Sequence, residues 1–165
     1  MNEERSKKYG QYSTPVDIVD FMIGLSTSNK DASVLDPGCG EGIFVDRLAE
    51  FGYTDVIGYE IDPALRCNGD TKVVYRSFVS ESFDQKFNLI IGNPPYVRWK
   101  NLGPSLKVEL ENNDLWKQYC NSLCDYSAMF ILKATELLND QGELIFITPE
   151  YWIRTQHTQA LRDYM

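Results

Sequence analysis

Val34-Leu35-Asp36-Pro37-Gly38-Cys39-Gly40-Glu41-Gly42 runs from a short apolar strand, Ser33 to Asp36, through a glycine-rich turn into a helix. Gly42 to Phe51 reads as that helix, and Gly52 closes it. Glycines permit tight turns and let a ligand approach the backbone. In doubly wound α/β proteins such a turn lies at the carboxyl end of a strand, where nucleotides bind. A nicotinamide fingerprint would require glycine at position 43, where Ile43 stands, so the pattern here is GxGxG. Asp36 would repel a pyrophosphate. It suits a cation, and an ammonium could be held by it directly or through a water.

Outward from this turn, strands and amphipathic stretches alternate. Strands are expected at Asp55 to Glu60, Lys72 to Ser77, Phe87 to Gly92 and Glu143 to Thr148, and helices at Leu123 to Leu138 and Tyr151 to Met165. This alternation implies βαβ units: a parallel sheet with helices on both faces. Upstream, Thr14-Pro15-Val16-Asp17 reads as a helix start with Thr14 as cap and Pro15 in the first position. Ile18, Val19, Met22 and Leu25 give that helix its apolar face. Residues 1–11 read as a polar lead. Residues 97–121 break the alternation: a long polar excursion carrying Trp99, Trp116 and Tyr119, with a short helix around Leu106 to Glu111. Loops of that length inside compact domains are usually functional or mobile.

Glu60 ends the second strand, 18 residues after Gly42. A carboxylate there can accept hydrogen bonds from both hydroxyls of a ribose. Asp36, the glycines and Glu60 together describe a pocket for an adenosine that bears an amino acid, and S-adenosylmethionine fits.

The fourth strand delivers Asn93-Pro94-Pro95-Tyr96 to the same end of the sheet. Two prolines fix φ and remove two donors. Asn93 and the Pro94 carbonyl are then two acceptors, and Tyr96 is a flat aromatic face. The set suits a planar ring with an exocyclic amino group. Such an amino lone pair is delocalised into the ring and is a poor nucleophile. Two acceptors on its two protons would localise it for an in-line displacement that needs no metal.

Composition bounds these readings. The 165 residues fit one domain, with 43% apolar and 24% charged residues. Sixteen Lys and Arg against 24 Asp and Glu leave a net charge of −8, which excludes a simple basic nucleic-acid binder acting alone. Four cysteines without a CxxC pair or a secretion signal argue against a disulfide framework, and a reducing cytoplasm is the expected setting. No apolar run approaches the length of a membrane span. Cys120 and Cys124 stand four apart, but His157 is the only histidine, so zinc is not expected and no metal site is assigned. Cys39 reads as a small filler between glycines and His157 as a solvated side chain.

On these motifs the chain resembles the catalytic domain of N6-adenine DNA methyltransferases of restriction–modification systems, and within them the gamma group, to which TaqI-like and fused restriction–methylation enzymes belong. Gln11-Tyr12-Ser13-Thr14-Pro15 is similar to the N-terminal cofactor motif, which in that group precedes the glycine motif. Asp36 to Gly42 is similar to the methionine-binding motif, Tyr59-Glu60-Ile61-Asp62 to the ribose and adenine motif, and Asn93 to Tyr96 to the catalytic motif. The later stretches Asp125 to Leu138, Gly142 to Pro149 and Tyr151-Trp152-Ile153 are similar to the helix, strand and helix that follow.

The resemblance implies a Rossmann-like class I fold over residues 1–165. It also implies S-adenosylmethionine as cofactor, with Tyr12, Thr14, Pro15, Asp36, Pro37, Gly38, Gly40, Gly42, Phe44, Glu60, Ile61, Ser77 and Phe78 around it, and Asn93, Pro94, Pro95 and Tyr96 at the target base. Where the family places Asp-Phe after its third strand, Ser77-Phe78 stands here. The family's last two strands and a target-recognition domain would follow Met165, which implies a longer protein. Its partners would be duplex DNA, held mostly by regions outside this chain, and a restriction or specificity subunit or a fused nuclease. A methyltransferase of RNA adenine or of a protein glutamine amide shares the tetrapeptide, and a non-catalytic methyltransferase-like subunit would share the fold.

Overall fold

The computed structural model of the chain describes residues 12–65, 67 and 72–165. The polar lead, and Gln11 of the N-terminal motif, lie outside the described residues. The chain divides into two compact units, one built from Ser13–Asn93 with Leu137–Ile147 and the other containing Pro94–Glu136 and Thr148–Met165.

The first unit is a five-stranded sheet, entirely parallel, in the order β3-β2-β1-β4-β5. The strands are β1 (Ser33–Asp36), β2 (Asp55–Tyr59), β3 (Lys72–Val74), β4 (Phe87–Gly92) and β5 (Leu138–Phe146). β1 pairs β2 on one side and β4 on the other, with Leu35 facing Ile57 and Ile90. From β1 the chain therefore builds outward in one direction to β3 and then returns to the other side. This reversal is the switch point at which doubly wound sheets open a crevice beyond the strand ends. In β4 only Asn88 is exposed, the continuous apolar run of a strand covered on both faces.

Two helices belong to this unit, α1 (Val16–Leu25) and α2 (Ile43–Glu50). Val19, Met22 and Ile23 of α1 and Phe44, Val45 and Leu48 of α2 pack with Val34, Val56, Leu89 and Ile91 into one core. The inward face of α1 is thus turned from the expected one, since Ile18 and Leu25 are exposed and Ile23 is buried. Thr14 does not cap it. Pro15 is the capping residue, and its carbonyl accepts the Ile18 and Val19 N–H groups.

The second unit is helical: a 3₁₀ turn at Trp99–Asn101, then α3 (Pro104–Asn112), α4 (Asp114–Tyr119), α5 (Ser127–Leu137), α6 (Tyr151–Arg154), a 3₁₀ turn at Gln156–Thr158 and α7 (Gln159–Tyr164). Five expectations change. Residues 97–121 are mostly helix rather than loop, with the Asn113 side chain capping α4 by accepting the Trp116 N–H. α5 starts at Ser127, not Leu123, because the Asp125 backbone pairs with that of Arg98 in an isolated β-bridge and Tyr126 N–H donates to the Val97 carbonyl before the helix begins. The terminal helix is broken where Thr158 Oγ1 turns back onto the Trp152 and Thr155 carbonyls. β5 also begins earlier than expected, directly after α5, with an irregularity opposite Phe87 and Leu89. β3 is shorter than expected and ends at Val74. No helix among the described residues is long and apolar enough to cross a membrane.

Candidate functional site

The carboxyl ends of β1, β2 and β4 carry the polar side chains that the sequence singled out. Gly40 and Gly42 both take positive φ, 57° and 91°, a conformation that L side chains rarely adopt. At Gly40 a side chain would meet nothing within 4 Å, so the turn opens onto free space there. Gly42 is closed on its other side by Cys67, whose Sγ lies where a Cβ would come within 2.8 Å.

Asp36 is buried at the end of β1, 1% exposed. Its Oδ1 accepts the Gly38 N–H at 3.2 Å, and its Oδ2 has no hydrogen-bond partner. Burial pushes its pKa up to about 8, against the Gly38 bond, which lowers it, and with the Glu60 charge, which raises it further. Without a cation the carboxyl is therefore largely protonated at neutral pH.

Glu60, just past β2, is buried as well. Its Oε2 accepts the Gly40 N–H at 2.9 Å and its Oε1 the Asp62 N–H at 2.7 Å, so the glycine turn and the β2 end are fastened to one carboxylate. Asp62 Oδ1 takes the Ala64 N–H, and its buried Oδ2 has no partner.

Asn93 follows β4. Its Nδ2 donates to Thr14 Oγ1 at 3.2 Å. That bond fixes the amide plane and leaves Oδ1 a buried acceptor with no partner. Asp36 Oδ2, Asp62 Oδ2 and Asn93 Oδ1 are three such acceptors in this unit. Buried acceptors without partners are costly, and their usual explanation is an absent ligand or water. An ammonium and hydroxyls are donors that Asp36 and Asp62 lack, so these two fit the amino-acid-bearing adenosine expected from the sequence, and Asn93 Oδ1 is left for a separate donor.

The remaining candidates fall in several environments. Thr14, Pro37 and Gly42 are buried, Gly38, Gly40, Ile61 and Ser77 half-buried, and Pro15 exposed. Phe44 lies in the apolar core, and Phe78 packs edge-on to Tyr59 and beside Phe83. Tyr12 is 69% exposed.

Pro94, Pro95 and Tyr96 belong to the second unit, with Pro94 buried and the other two half-buried. The Tyr96 hydroxyl is held well above its usual pKa by burial and then by the Asp125 charge, so it stays protonated. In the same unit Cys120 and Cys124 share a hydrogen bond that lowers the Cys124 thiol to about 7. No group of three His, Cys, Asp or Glu side chains suited to a metal occurs among the described residues. His157 is not the solvated side chain expected, since its Nε2 is buried without a partner.

Sequence reasoning did not single out Gly92. A Cβ there would lie 2.6 Å from Asp36 Oδ1, so the β4 end reaches the β1 carboxylate only because position 92 lacks a side chain. A glycine at the very end of an apolar strand was the available signal.

Comparison with known proteins agrees with this architecture. The Eco57I restriction-modification methylase family matches residues 53–165, and a methyltransferase domain family matches residues 2–102. Type II methyltransferase M.HincII of Haemophilus influenzae is 46% identical over 165 residues, covering 100% of this chain and 32% of the relative. Type II methyltransferase M.TthHB8I of Thermus thermophilus is 30% identical, covering 96% of this chain and 39% of the relative. The chain thus spans about a third of the length of these curated relatives. Among solved structures, the DrdV–DNA complex superposes with a TM-score of 0.78 at 18% identity, over 99% of this chain and 23% of that one. The type I restriction-modification methyltransferase subunit from Streptococcus thermophilus superposes with a TM-score of 0.74 at 14% identity, over 95% and 38%. The fold is the Rossmann-like fold of S-adenosylmethionine-dependent methyltransferases.

Proposed function

The chain belongs to the Eco57I restriction-modification methylase family, and from that premise we propose that it carries the cofactor and methyl-transfer residues of a DNA methyltransferase acting on the N6 amino group of adenine at specific sites. The observation that carries this reading is Asn93: held by Thr14 through its amide nitrogen, it keeps a buried carbonyl oxygen without a partner. An acceptor fixed in that way matches an exocyclic amino group, which has protons to give. The N-terminal motif at Thr14-Pro15, preceding the glycine motif, favours adenine in DNA over an amide or RNA.

In this reading Asp36 Oδ2 takes the cofactor's ammonium, Glu60 takes the ribose hydroxyls, and the Gly38-Cys39-Gly40 backbone borders the amino-acid portion. S-adenosylmethionine, when bound, supplies a methyl group activated by its sulfonium. Asn93 Oδ1 accepts a hydrogen bond from one N–H of the adenine amino group and the Pro94 carbonyl accepts one from the other. Both acceptors draw the nitrogen lone pair out of the ring and aim it. Tyr96 gives the base a face to stack on, and its hydroxyl stays neutral at physiological pH. The base must leave the duplex to reach these groups, at a cost of a few kcal/mol. Base contacts and phosphate contacts together offset that cost.

The test is product analysis. The protein, as expressed from its own gene, is incubated with labelled S-adenosylmethionine and unmethylated duplex DNA, and the DNA is digested to nucleosides. Label in N6-methyladenine is expected, and Asn93→Ala should abolish it while retaining cofactor binding. Label in cytosine, or no label in DNA, refutes the reading.

A further inference from the structure

We propose that the segment following the tetrapeptide is a phosphate-binding surface for the nucleic-acid strand that carries the target base, formed by Arg98, Lys100 and Lys107 around Trp99. This rests on the DNA reading above and extends it to the backbone of the substrate.

The net charge of −8 conceals a local reversal. From Gln85 to Val108 there is no Asp or Glu, while Arg98, Lys100 and Lys107 stand within ten positions of one another. Four other cations of the described residues are ion-paired. Arg47 pairs with Asp20 and Glu50, Arg76 with Glu81, Lys117 with Asp114 and Arg154 with Glu150. Arg98, Lys100 and Lys107 have no ion-pair partner among the described residues, and Arg98 and Lys100 are exposed. Three cations without counter-charges repel one another, and an anion from outside removes that cost.

The segment is also built to hold its shape. Val97 and Leu102 are buried on either side of the cations. The Val97 carbonyl accepts the Tyr126 N–H at 2.8 Å, and the Arg98 backbone pairs with that of Asp125 in an isolated antiparallel β-bridge. The Asn101 N–H closes the 3₁₀ turn onto the Arg98 carbonyl at 2.8 Å. Trp99 is stacked on Trp116, with centroids 5.6 Å apart and planes 16° apart. Lys107 Nζ, from the first turn of α3, lies 5.9 Å from the Trp99 centroid, which brings it to the same place as the 3₁₀ turn. An aromatic plate with cations beside it is the usual furniture of a groove for a nucleic-acid strand. An acidic peptide would meet the same charges, but Tyr96 lies only two residues before Arg98, so a ligand already engaged by its base presents its own phosphates next.

The experiment measures equilibrium binding of a short fluorescent duplex against salt, using the protein as expressed from its own gene. Arg98→Gln/Lys100→Gln is compared with wild type, with Lys117→Gln as an ion-paired control. Each phosphate contact contributes about 0.9 to the slope of log affinity against log salt. The double variant should therefore flatten the slope by about 2 and weaken binding at least about tenfold at low salt. Affinity for S-adenosylmethionine should be unchanged, and the control should behave as wild type. If the wild type binds duplex with a slope that the double variant flattens, but adds no methyl to it, the surface stands and the adenine reading falls. If the wild type methylates DNA and the double variant keeps its slope and affinity, the surface falls and the reading stands. A wild type that neither binds nor methylates DNA overturns both.

Discussion

Asn93 and Thr14, 79 residues apart, are joined by one hydrogen bond between side chains, Nδ2 to Oγ1 at 3.2 Å. The threonine at the start of α1 is thereby committed to the end of β4 rather than to its own helix, whose first N–H groups turn to the Pro15 carbonyl. The net worth of such a bond is about 1 kcal/mol. Its larger consequence is orientation, because one N–H of the Asn93 amide is anchored on Thr14, which turns Oδ1 away as a buried acceptor without a partner.

Thr14→Val keeps the shape of the side chain and removes the acceptor. Turnover should fall about ten- to a hundredfold, the cost of misplacing a reacting group. Affinity for S-adenosylmethionine should hold, and Thr14→Ser should restore activity. Steady-state kinetics with calorimetry on each variant separate the effects, and full activity in the valine variant would show that Asn93 is oriented without Thr14.

Gly92→Ala places a Cβ 2.6 Å from Asp36 Oδ1, a distance that side-chain atoms do not tolerate. Either the β4 end or the carboxylate must shift. A loss of about 1 to 3 kcal/mol in unfolding free energy is expected, as for other overpacked interiors. Chemical denaturation measures it, and a variant as stable as wild type would place the contact elsewhere.

Cofactor affinity should depend on pH through Asp36. Its pKa is raised to about 8, so binding an ammonium at lower pH must expel a proton. Affinity should rise about tenfold per unit toward pH 8. Above about pH 8 the ligand's own α-amino group loses its charge, and affinity should decline again. Asp36→Asn should remove the rising limb. Calorimetry across this range settles the matter, and an affinity flat below pH 8 would take Asp36 away from the ammonium.

Glu143 lies within β5, opposite Leu89 of β4, and reaches the Ser26–Ser28 segment that follows α1. Burial alone would raise its pKa, but hydrogen bonds from the Ser26, Thr27 and Ser28 hydroxyls and the Thr27 N–H outweigh this and hold it at about 2. The folded value lies below the ordinary 4.5. The stabilisation is therefore complete above about pH 4.5 and lost as pH falls toward 2. Screened by solvent, it is worth about 1 kcal/mol. Glu143→Gln should lower the melting temperature at neutral pH and narrow its gap to wild type under acid. Equal melting temperatures at neutral pH would refute it.

The succession of strands along the chain, the glycine turn and the polar residues at the strand ends are legible in the sequence because they rest on local rules. A six-residue apolar run such as Phe87 to Gly92, followed by Asn-Pro-Pro, is too short for a helix and reads as a covered strand, and closely spaced glycines after a strand favour a turn. Boundaries were less legible. Leu123 to Tyr126 carry helical periodicity, yet the bridge from Asp125 to Arg98 holds them out of α5, and no periodicity records a partner 27 positions away. Residues 97–121 looked like loop because their helices are short and mostly polar.

By itself, then, the sequence determined a parallel α/β sheet with an acidic, glycine-lined turn at its β1 end and an amide after β4. Which atoms of those side chains remain available was decided only in the tertiary structure. Asp36 Oδ1 is spent on Gly38 and faces Gly92, while Oδ2 is left over. Asn93 commits one N–H to Thr14 and keeps its oxygen without a partner. Hydrogen bonds between distant side chains depend on how strands register and helices roll, which the core packing fixes and local residue pattern does not.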